Sequence, residues 1–283
     1  LIPEAVQTWL AAQGYGEVRA TRPVGGGCIS NGARIETSGG GSFFLKTNAS
    51  APADMFACEA AGLEALRAAD GPRLPRVFLH GREFLLLEDL APAKRAQDYE
   101  RTLGGQLAAM HNHTNSQFGF EHDNYIGSTP QPNAWTTDGY TFFAEQRLGY
   151  QARLAVDRGL LNNDEAGRVE ALAGRLKELI PVQPASLVHG DLWGGNATAD
   201  SRGQPVLIDP AAHYGWAEAE LAMTALFGGF GADFYGAYVE SRPLAAGYRE
   251  RFPCYNLYHV LNHLNLFGRS YHGQVISILN RYK

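Results

Sequence analysis

The stretch that most constrains this chain runs from residue 187 to 210: Leu-Val-His-Gly-Asp-Leu-Trp-Gly-Gly-Asn, a short spacer, then Val-Leu-Ile-Asp-Pro. Its apolar runs, Leu187-Val188 and Val206-Leu207-Ile208, read as short buried strands. Around them stand Asp191, Asn196 and Asp209, whose side chains offer oxygen ligands. Buried strands on both sides fix a loop's backbone, the support that an active site needs. A carboxylate in such a loop, as Asp191 is, would be able to orient a hydroxyl and accept its proton. Asn196 and Asp209 offer hard oxygens to magnesium, and two suffice for an ion that keeps coordination positions for phosphate and water.

This layout resembles the catalytic loop and metal-binding Asp of the protein-kinase-like superfamily. Gly190 stands where protein kinases carry Arg, and Pro210-Ala211 where they carry Phe-Gly. An Asp-x-x-x-x-Asn pair alone is a weak signal, so the reading depends on finding a nucleotide-binding half. Glu17 to Val24 is a predicted strand. Gly25-Gly26-Gly27-Cys28-Ile29-Ser30-Asn31-Gly32 follows, then strands at Ala33 to Thr37 and Ser42 to Thr47. Glycines let a backbone approach phosphates and aim N–H groups at them. The loop fits neither the dinucleotide fingerprint nor a Walker loop, and by itself it also reads as a plain hairpin turn. Lys46 ends the apolar run Phe43-Phe44-Leu45 and needs a partner there. Pro52 to Ala69 is a predicted helix, and Glu59 on it is the expected partner. Such a pair would point Lys46 at the α- and β-phosphates of ATP; a snorkelling edge lysine and a solvated helix glutamate are the other reading. Arg76 to His80 and Phe84 to Glu88 are two further strands. Glu88-Asp89-Leu90 then reads as a hinge whose backbone N–H and C=O groups meet the adenine edge; a buried strand entering a linker is the bland alternative.

Beyond residue 92 the pattern turns helical. Predicted helices span Arg95 to His113, Thr141 to Arg158, Asn163 to Ile180, Ala246 to Phe267 and Gln274 to Tyr282. His111 and His113 are two apart, poor spacing for two ligands on one helix face, so they read as satisfied or solvated histidines. Residues 118–135 form a long aromatic and polar connection, which in a compact protein usually has a function. There Asn124, Tyr125, Gln131, Asn133 and Trp135 suit a polyol ligand. Glu218 and Glu220 open a helix with acids in its first turn, where the dipole favours them. No long activation segment ending in Ala-Pro-Glu follows, which argues against a regulated protein kinase. The expected fold is α+β and bilobal: an antiparallel sheet lobe with a helix over residues 1–90, and a larger, mainly helical lobe over 91–283.

The net charge of −5 leaves no basic footprint for nucleic acid. No apolar run approaches the roughly 20 residues that cross a bilayer. The start, Leu-Ile-Pro-Glu, does not read as a signal peptide. Cys28, Cys58 and Cys254 are odd in number and widely spread, which fits neither a disulfide framework nor a zinc site, so a cytoplasmic location is expected.

Together these residues resemble the fructosamine kinase (ketoamine 3-kinase) family, relatives of aminoglycoside phosphotransferases and choline kinases. The most specific parts are Gly25 to Gly32, Tyr125-Ile126-Gly127 with Pro130-Gln131 and Asn133, and Phe142-Phe143 with Arg147-Leu148. To these add His189 to Asn196, Ile208 to Ala211, and Leu261-Asn262-His263-Leu264-Asn265. The resemblance implies ATP- and Mg2+-dependent phosphorylation of a ketoamine 3-hydroxyl, on a small molecule or a glycated lysine. The unstable product frees the amine, which makes the activity a deglycation or protein-repair step. Asp191 would orient the hydroxyl. Gly25, Gly26, Gly27, Cys28, Ile29, Ser30, Lys46 and Glu59 would bind nucleotide with the hinge, and Asn196 and Asp209 would bind the metal. Trp193, Asn133 and Trp135 would face the sugar, Trp193 by stacking or by packing under the loop. Trp216-Ala217 departs from the Asp-Arg that bacterial relatives often carry. Cys28, in a loop whose N–H groups would favour a thiolate, could on oxidation block ATP or link two chains; a small loop-packing residue is the other reading. Monomer and homodimer both stay open. So do a kinase for an aminoglycoside, choline or another small alcohol, and an ATP-binding homologue without catalysis.

Overall fold

Side chains on a strand alternate between faces, and in Phe43-Phe44-Leu45-Lys46 this decides the first half of the site. Phe43 and Leu45 point to one face with Ile35, Phe84 and Leu86, where Val6, Leu10 and Trp9 of an N-terminal helix cover them. Phe44 and Lys46 take the opposite face, with Leu85 and Leu87. The computed structural model describes residues 2–25, 30–68 and 70–283. The covering helix is α1 (Glu4–Ala12), and the strands are β1 (Val18–Val24), β2 (Asn31–Thr37), β3 (Ser42–Thr47), β4 (Val77–Gly81) and β5 (Phe84–Glu88). They pair antiparallel in the order β1-β2-β3-β5-β4. Helix α2 (Met55–Ala65) lies between β3 and β4 in sequence and joins the larger core through Phe56, Ala60 and Leu63. It stops short of the expected Ala69, because the chain leaves the helix at Leu66 and turns at Asp70, which has φ 60°.

Helices dominate the rest. They are α3 (Tyr99–His111), α4 (Gly139–Thr141), α5 (Tyr150–Asp157), α6 (Asn163–Gly174), α7 (Leu176–Leu179), α8 (Ala217–Leu226), α9 (Ala232–Ser241), α10 (Tyr248–Phe267) and α11 (His272–Arg281). Short strands thread among them: β6 (Thr114–Asn115), β7 (Asn124–Ile126), β8 (Thr129–Gln131), β9 (Ala185–Val188), β10 (Ala197–Ala199), β11 (Pro205–Leu207) and β12 (His213–Gly215). Helix α3 packs along α9, and α8 along α10. No described helix is long and apolar enough to cross a membrane.

Two predicted helices are not continuous. Between α4 and α5 the residues Phe142–Gly149 form a π-helix, and the buried Phe142, Phe143, Arg147 and Leu148 repeat at five-residue spacing. The wider turn brings Arg147 to the same side as the two phenylalanines, where its guanidinium lies over Phe142. The predicted helix from Asn163 breaks at Arg175 into α6 and α7; its start is held by a reciprocal Asn162–Glu165 capping box.

Candidate active site

Strand β9 is buried along its whole length between β6 and β12. It delivers His189-Gly190-Asp191 into a cleft between the sheet and the helices. The β10–β11 hairpin then returns the chain, so that Ile208 N–H donates to the Asn196 carbonyl at 3.0 Å and Asp209 arrives beside Asn196. His189 fastens the two halves. Its Nε2 lies 2.8 Å from the Ile208 carbonyl, which can only accept, so Nε2 carries the proton. Nδ1 is left to accept the Asp191 N–H at 3.3 Å. Burial holds the ring's pKa below the usual histidine range. His189 is thus a neutral brace.

Gly190 has φ 84°, and a Cβ there would lie 2.1 Å from the Ala211 carbonyl oxygen. Only glycine fits, and this close crossing of the two loop segments sets Asp191 against Asp209. Asn196 donates through Nδ2 to the Asp191 carbonyl at 2.8 Å and to its carboxylate at 3.2 Å, which turns Oδ1 the other way. Burial, then the neighbouring Asp209, raise the Asp191 pKa well above the usual carboxylate range; the Asn196 hydrogen bond opposes them.

Lys46 and Glu59 form the expected ion pair at 2.7 Å, and Lys46 also reaches Asp209 at 2.8 Å. Burial alone would lower the Lys46 pKa, but the two carboxylates more than offset it, and the ammonium stays charged.

Glu220 is the residue that sequence reasoning misjudged. It is buried, and it accepts the backbone N–H groups of His189 at 2.9 Å and Gly190 at 2.7 Å. Its carboxylate also meets His111 Nε2 at 2.8 Å, and His111 Nδ1 lies 2.7 Å from the Tyr238 hydroxyl. Burial would raise the Glu220 pKa, but His111 and the loop amides hold it below the usual range. Glu218 is likewise buried, gripping Arg251 at 2.7 and 2.8 Å and Tyr255 at 3.0 Å. The two acids serve side-chain and backbone partners as well as their helix dipole. The available signal was their setting: two acids in an otherwise apolar run, Ala-Glu-Ala-Glu-Leu-Ala-Met.

Other expectations fare differently. Gly26, Gly27, Cys28 and Ile29 lie outside the described residues; Gly25 follows β1 directly, and Ser30 lines the cleft. At the hinge, the Glu88 N–H donates to the Arg76 carbonyl at 2.8 Å, so that donor is not available to an adenine edge. The Glu88 carboxylate pairs with Arg73. The Asp89 carboxylate takes Ser42 Oγ at 2.6 Å and lies 2.8 Å from Arg34. The hinge expectation therefore narrows to the Glu88 carbonyl and the backbone of Asp89 and Leu90.

Trp193 lines the cleft with its ring laid over Gly195, where a Cβ would lie 2.2 Å from the indole. Asn133 and Trp135 are not among the residues that line this cleft. Asn133 is buried and donates to the His122 carbonyl and to Asn124, while its oxygen accepts Arg147 at 2.7 Å. Trp135 packs against Tyr214, with ring centroids 6.0 Å apart. Gln131 is buried as well, bonded to Asn124, the Ala211 carbonyl and the Tyr258 hydroxyl. A long connection folded against the core must satisfy its own polar groups, and these amides do so by bonding one another and the Ala211-Ala212 backbone.

The cleft measures about 510 Å³, within the range of small-molecule sites. Of its lining residues, Lys46, Glu59 and Asp209 are joined by ion pairs and Asp191 and Asn196 by a hydrogen bond, while the rings of Phe227, His263, Phe267 and Tyr271 pack on one another and Asn262 lines the cleft as well. The second group carried no role from sequence, although Asn262 and His263 lay within a noted motif.

The family model described as Fructosamine kinase matches residues 3–283. The probable ketoamine kinase of Synechocystis is 44% identical over 269 residues, covering 93% of this chain and 90% of that protein. The chloroplastic protein-ribulosamine 3-kinase of Arabidopsis thaliana is 39% identical over 292 residues, covering 99% and 87%. Among solved structures, a candidate fructosamine-3-kinase from Thermobifida fusca superposes with a TM-score of 0.89 at 33% identity, covering 99% of this chain and 98% of that one. At 12% identity the shared fold extends to a type I macrolide 2'-phosphotransferase, TM-score 0.64, over 99% and 98% of the two chains.

Proposed function

The chain belongs to the fructosamine kinase family, and from that premise we propose that it is an ATP-dependent ketoamine 3-kinase, transferring a phosphoryl group to the 3-hydroxyl of a fructosamine- or ribulosamine-type substrate. The product's breakdown would free the amine, making the reaction a deglycation. One observation carries the assignment of roles: Lys46 joins Glu59 and Asp209 at 2.7 and 2.8 Å in the same cleft as Asp191 and Asn196. Residues 1–90 serve as the nucleotide lobe in this reading, and 91–283 as the catalytic and substrate lobe.

The donor set fits a nucleotide-bound divalent ion. No group of three or more His, Cys, Asp or Glu that could hold a metal occurs among the described residues. Asn196 Oδ1 and the Asp209 carboxylate offer two hard oxygens instead, which suits Mg2+, an ion that takes its other ligands from phosphate and water. Such an ion would offset phosphate charge, including the charge that develops during transfer. Asp191 and Asp209 are close enough for one to raise the other's pKa, an excess of negative charge that a cation relieves. Lys46, steadied by Glu59, would hold phosphate oxygens. Asp191 would orient the substrate hydroxyl and receive its proton, while Glu220 and His189 keep the loop in place. Trp193 would cover the sugar's apolar face.

The test is ATP- and Mg2+-dependent phosphate transfer to fructosyl-, ribulosyl- and erythrulosyl-amines, with choline and an aminoglycoside as controls and Asp191→Asn as the blank. Ketoamine turnover that disappears in the variant supports the reading. Turnover of choline or the aminoglycoside alone overturns the substrate class, and ATP binding without any turnover overturns catalysis.

A further inference from the structure

Six large apolar side chains are exposed among the described residues, and three of them, Trp193, Phe227 and Phe267, stand in the walls of the cleft that holds Asp191. Exposed aromatic surface gathered in one place marks a contact site. Phe227 caps α8, and His263 and Phe267 lie four apart on one face of α10. Tyr271 ends the short 3-10 turn that follows. The His263 ring is surrounded: its centroid lies 4.8 Å from Phe227, 5.1 Å from Tyr271 and 5.4 Å from Phe267. His263 Nδ1 is 2.8 Å from the His259 carbonyl, which can only accept, so the proton sits on Nδ1. Burial lowers the ring's pKa and keeps it neutral. The patch therefore brings no positive charge of its own. Among the other described residues of the cleft lining, three carboxylates face the single Lys46, which two of them already hold.

The cleft thus has a charged, hydrogen-bonding part and an aromatic, uncharged part. A ketoamine has matching unlike ends, a polyhydroxy chain and an alkylammonium, only a few bonds apart. With the 3-hydroxyl at Asp191, the amine and its substituent would pass Trp193 toward the second part. Aromatic faces attract an ammonium and cover methylenes equally well. We propose that Phe227, His263, Phe267 and Tyr271 form a subsite for the amine side of the substrate, and that its occupant is the alkylammonium stem of a lysine-type side chain. The proposal rests on the ketoamine-kinase reading and adds where selectivity for the amine arises.

The experiment uses the full chain and three ketoamines that share one sugar, carried on methylamine, on glycine and on lysine blocked at both α-groups. The wild type should favour the lysine compound over the methylamine compound by about tenfold in kcat/KM, the size expected of an apolar subsite, and through KM. Phe267→Ala and Phe227→Ala, made separately, should each shrink that ratio several-fold. Phe267→Leu, which keeps bulk but not the ring, should restore only part of it. Phe267 is half exposed at the end of its helix, so its truncation leaves the core intact. Equal kcat/KM for the methylamine and lysine compounds, or variants that lower both alike, would overturn the subsite while leaving the kinase reading standing. Turnover of no ketoamine by the wild type would overturn the kinase reading itself, and the subsite with it.

Discussion

Lys46 Nζ lies 2.8 Å from Asp209 Oδ1, a contact between residues 163 apart in the chain. It closes the sheet onto the helical part through the very groups assigned to phosphate and metal. Lys46→Met keeps the length and apolar body of the side chain but removes its charge. It leaves Glu59 and Asp209 without their cation, so turnover should fall by about 10²-fold or more. Steady-state kinetics with ATP varied would check this; an unchanged kcat/KM for ATP would remove Lys46 from the site.

Asp191→Asn should lower kcat by about 10² to 10⁴-fold, the range for loss of a positioned proton acceptor. ATP binding, measured by calorimetry, should persist, because the assigned phosphate and metal groups are untouched.

The same substitution carries a stability prediction with a definite sign. The native Asp191 carboxyl holds its proton above the pH at which the unfolded chain loses it. Between those values the native state binds more protons, so stability falls as pH rises from the unfolded pKa, about 3.9, through the raised native one. In metal- and nucleotide-free protein at neutral pH, Asp191→Asn should therefore melt at a higher temperature than the wild type. Equal melting temperatures across that window would contradict a desolvated carboxylate crowded by Asp209.

Glu220→Gln keeps the shape but leaves one carbonyl oxygen where two carboxylate oxygens served His111, His189 N–H and Gly190 N–H. A buried group left without its partner costs about 1–3 kcal/mol. Thermal melting should show that loss, and kcat should drop while the KM for ATP changes little, since Glu220 acts by positioning the loop.

Gly190→Ala meets both a left-handed backbone and the Ala211 carbonyl. It should destabilise by more than about 1 kcal/mol and abolish turnover, as the strand-to-loop crossing would have to open. Denaturant unfolding together with an activity assay would test both halves.

Asp191, Asn196, Asp209, Lys46 and Glu59 were legible because their chemistry is local: spacing within one loop, one charge among apolar residues, one acid on an adjacent helix. The alternation in Phe43-Phe44-Leu45-Lys46 already said which face Lys46 would take. Asn133 and Trp135 lie outside the cleft lining, because composition says what a side chain can bond but not which way it points. In the fold, the Asn133 amide turned inward to Arg147 and Asn124, and Trp135 packed on Tyr214. Arg147 itself reached that position through a π-helical turn that no helical periodicity announces.

By itself, then, the sequence determined the five strands of the first sheet, most of the longer helices and the chemical kinds gathered for phosphoryl transfer, since periodicity and motif spacing act over neighbouring residues. Only the tertiary structure decided that Glu220 braces the Asp191 loop, and that Phe227, His263, Phe267 and Tyr271 meet beside it. Those contacts join segments far apart in the chain, brought together by the packing of α8 on α10 and the pairing of β9 with β12. Burial then gave each group the partner and protonation state that its residue type alone leaves open.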